Sequence, residues 1–462
     1  MPMDNAITGT GPKRTEALGE VRAGTRATGS AVQPGERLRA LRVAAGLTQS
    51  ELAGGRFSKE YLSQIERGKT RPTAETLEWL AVRLGVDAGY LDSGVSAEDR
   101  GRVEAALARA EALAEAHRYG EALQAFAAGR AAVAGTGAPA LELRSLLGES
   151  WARIQDGGIP DALDLLARAR ELAERPGFSD VDRAAVLFRL GVCRYKLSSI
   201  STAIDLLSAA IELADRSGLP SDLLRADILG WRSRCYRRQR DWQAAREDVE
   251  RALELADSTK DRRAAAQAYF QASLVAEREG HWLLARTYAE RARGFYEELE
   301  DRAVVGRLLN NLGGLNFSLG SPDKAIELLG TAFEIALEVG DEPEAGLAMC
   351  SLAQVHLDVN DPAAAEGEAQ KALELFDGRE DYLQGIGQAQ LVLGRALIEL
   401  NRLNEAEEML GAADRSFEQV SSVSHRAAAW VAQGDLAQKR GADREAARQY
   451  RRAAEALQDF RF

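Results

Sequence analysis

Residues 46–69 read Gly-Leu-Thr-Gln-Ser-Glu-Leu-Ala-Gly-Gly-Arg-Phe-Ser-Lys-Glu-Tyr-Leu-Ser-Gln-Ile-Glu-Arg-Gly-Lys, and their punctuation predicts two short, capped helices in close succession. Thr48 is placed to cap the first, which begins at Gln49, with Glu51 at the third helical position as the capping-box partner. Gly54 and Gly55 break that helix, and Ser58 caps the next, which carries Tyr61, Leu62 and Ile65. Gly68 stops it, since glycine enters the left-handed conformation of a helix end at least cost. Working outward, Leu38, Leu41 and Arg42 mark a helix that ends by Gly46. A fourth helix is expected from Thr73 to Leu84, closed by Gly85, and a fifth from Asp87 to Leu91. Five short amphipathic helices therefore fill the stretch from Pro34 to Leu91.

On either side the composition changes. Residues 1–33 are rich in Gly, Thr, Ala and Arg with almost no large apolar side chains, so a flexible arm is expected there. Residues 92–101 are short and polar and read as a hinge, which places a first domain at 34–94, a linker at 95–101 and a second region at 102–462. In that second region alanine recurs at 122, 162, 203, 245, 285, 325, 365, 406 and 446, at intervals of 40 to 42 residues. Seven residues after all but the first stands another alanine: Ala169, Ala210, Ala252, Ala292, Ala332, Ala372, Ala413 and Ala453, with Gly129 in the first unit. Seven residues are two helical turns, so both small residues fall on one face. A fixed period of this length is the mark of a stacked repeat array. Gly148, Gly191, Gly313, Gly394 and Gly434 recur on the preceding helices, where they are expected to let the two helices of each hairpin touch.

The 462 residues carry a net charge of −12, yet the charge is divided along the chain. Up to Val95 there are thirteen Lys and Arg against eleven Asp and Glu, about +2, leaving about −14 for the rest. Arg56, Lys59, Arg67, Lys69 and Arg71 face only Glu60 and Glu66 within their stretch, a local basic footprint suited to phosphate. Cys193, Cys235 and Cys350 are far apart with no CxxC pair, so no disulfide framework or zinc site is expected. No apolar run approaches the roughly 20 residues that span a bilayer. A cytoplasmic protein without membrane partners is expected.

The stretch from Gly46 to Ala53, the segment Ser58 to Gly68 ending in Ile65-Glu66-Arg67-Gly68-Lys69, and then Pro72 and Leu84-Gly85-Val86 together resemble the lambda-repressor-like, xenobiotic-response-element family of helix-turn-helix domains. One departure is the turn, where Gly54-Gly55-Arg56-Phe57 replaces the usual lysine-leucine-glycine-valine type of sequence. The resemblance implies a third helix that enters the major groove and a second that crosses the backbone. It would then place Lys59, Glu60 and Gln64 at base edges, where Lys suits guanine, Gln adenine and Glu the cytosine amino group. It assigns Gln49, Ser58 and Arg67, with Lys69 and Arg71, to phosphates. Solvated surface side chains are the alternative for any one of them.

The repeats resemble tetratricopeptide repeats of the longer type, carried by Leu147-Gly148, Leu190-Gly191, Leu312-Gly313 and Leu393-Gly394 and by Trp430 and Tyr450 in the last unit. The fold class expected is all-α: a five-helix domain followed by a right-handed superhelix of about nine hairpins. This architecture is similar to the Rap, Rgg, NprR, PlcR and PrgX family, whose repeats bind short signalling peptides, an analogy of architecture alone. The resemblance puts the first helices on the concave side. Trp231, Arg234, Arg237, Arg238, Gln267, Gln271, Arg278, Arg307, Asn310, Asn311 and Gln354 would then line a ligand groove. Amides can clamp a peptide backbone and Arg can fork onto a carboxylate. An ordinary polar solenoid face is the alternative.

No catalytic arrangement stands out. His117, His281, His356 and His425 fall in different repeats, Gly68-Lys69-Thr70 lacks the earlier glycine of a phosphate loop, and Gly385-Ile386-Gly387 follows no strand. No enzyme activity and no cofactor or metal are expected. The leading expectation is a regulator that binds a palindromic double-stranded operator as a homodimer and is switched by a peptide or protein in its repeat groove. The alternative is an interaction adaptor whose helix-turn-helix docks a protein partner.

Overall fold

The fold was analysed in a computed structural model, which describes residues 33–94, 96–379 and 382–458. The flexible arm expected over 1–33 lies outside the described residues apart from Gln33. Among the described residues the chain forms 23 helices and no strand.

The first five helices are α1 (Pro34–Ala44), α2 (Gln49–Ala53), α3 (Lys59–Glu66), α4 (Ala74–Leu84) and α5 (Ala88–Ser93). Their boundaries follow local chemistry. Thr48 Oγ1 accepts from the Glu51 N–H at 3.2 Å, and Glu51 Oε2 accepts from the Thr48 N–H at 2.7 Å. The Thr48 N–H first, and then the Thr48 hydroxyl, hold the Glu51 carboxyl below the ordinary range. Ser58, Thr73 and Asp87 cap α3, α4 and α5, each side-chain oxygen accepting from the N–H three residues on. Leu38, Leu52, Leu62, Ile65, Leu77, Leu80, Leu84 and Leu91 form the shared core. The unusual turn is closed by an aromatic contact: the ring of Phe57 meets Trp79 of α4 edge-on at 5.2 Å, after Gly54 and Gly55 have both turned left-handed.

Eighteen longer helices follow. In consecutive pairs they are α6 (Ala97–Glu115) and α7 (Tyr119–Thr136), α8 (Pro139–Gln155) and α9 (Ile159–Ala173), α10 (Asp180–Lys196) and α11 (Ile200–Arg216), α12 (Asp222–Gln239) and α13 (Trp242–Thr259), and α14 (Arg262–Arg278) and α15 (Trp282–Glu298). The remaining pairs are α16 (Arg302–Ser318) and α17 (Pro322–Glu338), α18 (Glu342–Asp358) and α19 (Pro362–Leu375), α20 (Leu383–Glu399) and α21 (Leu403–Gln419), and α22 (Val423–Lys439) and α23 (Asp443–Gln458). Within the segment read as a linker, 95–101, residues 96–101 carry instead the cap and first turn of α6. Ser96 Oγ accepts from the Asp99 N–H at 3.0 Å, so a polar stretch that looked like a hinge is a helix start. The chain divides into two compact units between Cys193 and Arg194.

Packing explains the alanine period. All nine recurring alanines and the eight that follow them are buried. Larger side chains there would push the neighbouring helices apart. The glycines act where expected at three hairpins: a Cβ on Gly313 of α16 would lie 2.5 Å from Leu329 Cγ of α17, one on Gly394 of α20 would lie 2.6 Å from Leu410 Cδ2 of α21, and one on Gly434 of α22 would run into the Tyr450 ring of α23. Gly148 corrects the expectation, because the ring that fills its space is Phe126 of α7, the second helix of the preceding pair, 2.6 Å from where a Cβ would stand. That contact joins two hairpins instead of closing one.

A second register, not read from the sequence, accompanies the first. Five residues before each of the nine alanines the chain turns left-handed: His117, Gly157, Ser198, Arg240, Gly280, Gly320, Asn360, Asn401 and Gly441 all have φ between 57° and 87°. Only four are glycine, so the turn geometry is imposed by the stacked helices on whichever residue occupies it.

Candidate nucleic-acid interface and repeat groove

Helix α3 divides its residues cleanly. Leu62, Ile65 and Glu66 are buried, whereas Lys59, Glu60, Gln64 and Arg67 are exposed, as are Ser58, Lys69 and Arg71 around its ends. Lys59, Glu60, Lys69 and Arg71 make no ion pair or side-chain hydrogen bond among the described residues. Arg67 donates from Nε to the Ser63 carbonyl at 3.0 Å, and Gln64 Oε1 accepts from the Thr70 hydroxyl at 3.1 Å, leaving its amide hydrogens free. Ser58 is occupied as the cap of α3, its Oγ accepting from the Tyr61 N–H at 3.1 Å. Gln49 turns inward, its Nε2 donating to Glu66 Oε2 at 2.8 Å.

That last bond belongs to a network that sequence reasoning missed. Arg42 of α1 reaches Glu66 of α3 with Nε at 2.6 Å and Nη2 at 3.1 Å, and its Nη1 donates to the Leu47 carbonyl at 2.8 Å. The Glu66 hydrogen bond raises the Arg42 pKa against the opposing effect of burial. The Glu66 side chain is 3% exposed, so its negative charge is cancelled inside the domain and does not offset the surface cations. Arg56 is paired with Glu75 and contributes less to the footprint than its sequence position implied. The signal for the triad was present only as a polar residue on the core face of α3.

The repeat residues split differently. Helices α12 and α14 pack side by side, as do α16 and α18, α18 and α20, and α20 and α22, two runs of first helices within residues 194–462 that a side-chain bond from α16 to α14 joins into a row. Arg234 lies over the Trp231 ring at 4.4 Å, and Arg238 over Tyr195 at 5.4 Å. Arg237 Nη2 donates to Gln271 Oε1 at 3.4 Å, and Gln271 is buried. Asn311 Nδ2 donates to Glu277 Oε2 at 3.0 Å, joining α16 to α14, while Asn310 is half-buried beside it. Gln267, Arg278 and Arg307 are exposed. Gln354 is engaged at both ends, donating to Asp358 at 2.6 Å and accepting from Arg395 at 3.2 Å. Burial first, and then the Arg278 charge, lower the His425 pKa. Arg278 stands on α14 and His425 on α22.

Residues 34–93 match the model of a helix-turn-helix domain family, and residues 304–377 that of a tetratricopeptide repeat family. Fold and site together define a helix-turn-helix protein with a tetratricopeptide repeat region. The HTH-type transcriptional regulator DdrOP3 of Deinococcus deserti is 46% identical over 61 residues, 13% of this chain and 47% of that protein. The uncharacterized HTH-type transcriptional regulator y4dJ of Sinorhizobium fredii is 49% identical over 53 residues, 11% of this chain and 69% of that protein. The chain belongs to the helix-turn-helix family through this first domain, and it spans about half the length of DdrOP3. Among solved structures, the apo form of the quorum sensor NprR from B. thuringiensis superposes with a TM-score of 0.58 at 14% identity, over 78% of this chain and 98% of that one. At that identity the likeness is one of fold.

Proposed function

We propose that the protein is a sequence-specific DNA-binding transcriptional regulator of the cytoplasm, which docks α3 into the major groove of a palindromic operator as a homodimer. Its repeat row takes a signalling peptide whose occupancy shifts DNA binding. The observation that carries the first part is the exposed face of α3. Lys59 and Glu60 stand free at its N-terminal end, Gln64 one turn on offers its amide hydrogens, and Glu66 is neutralised from within by Arg42. Base-edge contacts from such a face supply specificity, and Lys69 and Arg71 flank it as phosphate contacts. The relatives named HTH-type transcriptional regulator support this reading, and the fold shared with a quorum sensor supports a sensing role for the repeats. A peptide can switch DNA binding only if it binds two conformations with different affinity.

Pull-down of fragmented host DNA by the purified chain tests the reading, repeated with Lys59→Ala and Gln64→Ala combined. A short palindromic site is expected for the wild type. The double variant should lose about a hundredfold or more in affinity for it, since each base contact is worth about 1–3 kcal/mol. Absence of any enriched site at low salt would sink the DNA reading in favour of a protein-docking adaptor.

A further inference from the structure

Several arginines of the first helices are paired, Arg232 with Asp248, Arg395 with Asp358 and Arg426 with Asp414, as is Arg246 of α13 with Glu279. Four others on α12, α14 and α16 are not. Arg234 and Arg237 of α12, Arg278 of α14 and Arg307 of α16 have no carboxylate within ion-pair reach among the described residues. We propose that these four guanidinium groups form an anion subsite, built to take the carboxylates of a short acidic peptide. The proposal rests on the reading of this row as a peptide groove and adds the chemistry of the occupant.

The cluster is held under electrostatic load. Arg234 and Arg237 are half-buried. Burial pushes the Arg237 pKa down to about 10, and the charges of Arg234 and Arg278 push in the same direction against Tyr195 and Glu277. The Arg234 pKa is also lowered, by burial first, with Arg307 adding to it against Tyr195, Tyr296 and Asp227. Unpaired cations gathered in a partly desolvated place cost stability, and an incoming carboxylate removes that cost. The donors are also ready. Arg237 Nε is buried without an acceptor, and the Trp231 ring under Arg234 holds that guanidinium by its face, which leaves the edge for a bidentate contact.

The acceptors beside them decide the kind of anion. Asn310 Oδ1 and Asn311 Oδ1 are buried and receive no hydrogen bond. A dicarboxylate in its charged form has no hydrogen to give them. An extended peptide offers carboxylate oxygens to the arginines and backbone N–H groups to the asparagines together.

The test uses the full chain and titration calorimetry with three probes. They are a pool of N-acetylated, C-amidated hexapeptides with Glu at two positions, the matched pool with Lys there, and succinate. The Glu pool is expected to bind and to raise Tm, and the Lys pool to do neither. Arg237→Gln and Arg307→Gln should each weaken the Glu pool about tenfold to a hundredfold. Asn310→Leu should weaken the peptides and leave succinate unchanged. Lys peptides binding as tightly as Glu peptides, or Arg→Gln variants with wild-type affinity, would overturn the subsite. Succinate binding as tightly as the Glu pool would keep the anion subsite and overturn its assignment to a peptide.

Arg237→Met guards against a purely structural role. Without ligand it should raise Tm by removing an unpaired charge, whereas a structural arginine would give a lower Tm. DNA retention is measured on the same preparations. Retention of an operator without anion binding overturns this subsite alone, and anion binding without DNA retention overturns the regulator reading alone.

Discussion

The helix-turn-helix domain and the repeat unit treat strain and charge in opposite ways. In the first domain every left-handed residue is a glycine: Gly46, Gly54, Gly55, Gly68, Gly85 and Gly94. Its buried carboxylate is matched by Arg42, and its unpaired cations stand in open water. The repeat unit puts serine, arginine and asparagine into the same conformation at Ser198, Arg240, Asn360 and Asn401, and it half-buries arginines that no carboxylate answers. The difference follows from size. A domain of about sixty residues has little core to spare for defects. A stacked array sums many similar interfaces, so each local cost is shared.

Three substitutions test that contrast, beginning with the largest expected effect. Glu66→Ala removes the acceptor of both Arg42 and Gln49 and leaves a mostly buried guanidinium alone. It should cost the first domain about 3–5 kcal/mol, read as an early unfolding transition in urea while the repeats melt as before. If the first transition stays in place, the domain does not depend on its buried ion-paired centre and the contrast weakens. Next, Gly85→Ala forces an alanine to φ 64° and should cost about 1–2 kcal/mol in the same transition. The mirror experiment is the smallest: Ser198→Gly relieves the same strain at φ 59° on an exposed turn. A gain of about 0.5–1 kcal/mol is expected in the repeat transition, because glycine's greater freedom when unfolded offsets part of the relief. A loss on Ser198→Gly would show that the turn is not strained.

Much of the first domain was legible because its signals are local. Thr48 with Glu51, Ser58 with Tyr61 and Gly85 after Leu84 act within four residues of each other, a range over which sequence order and spatial contact coincide. The alanine period was legible for a related reason, since a small residue every 40 to 42 positions records the packing distance between stacked helices. The site was less so. Lys59, Glu60 and Gln64 could be placed by their position on α3, but Gln49 could not, because its amide binds Glu66, 17 residues on.

What the sequence determined by itself was therefore the helix content, the caps and stops, and the existence of a repeat. Each depends on backbone geometry and on neighbours a turn or two away. What only the tertiary structure decided was which charges cancel and which remain. Glu66 meets Arg42 across 24 residues and is silenced, while Arg237 meets Gln271 across 34 and finds no carboxylate. Charge interactions fall off with distance in space, and nothing in the order of residues along a chain records that distance until the helices have packed.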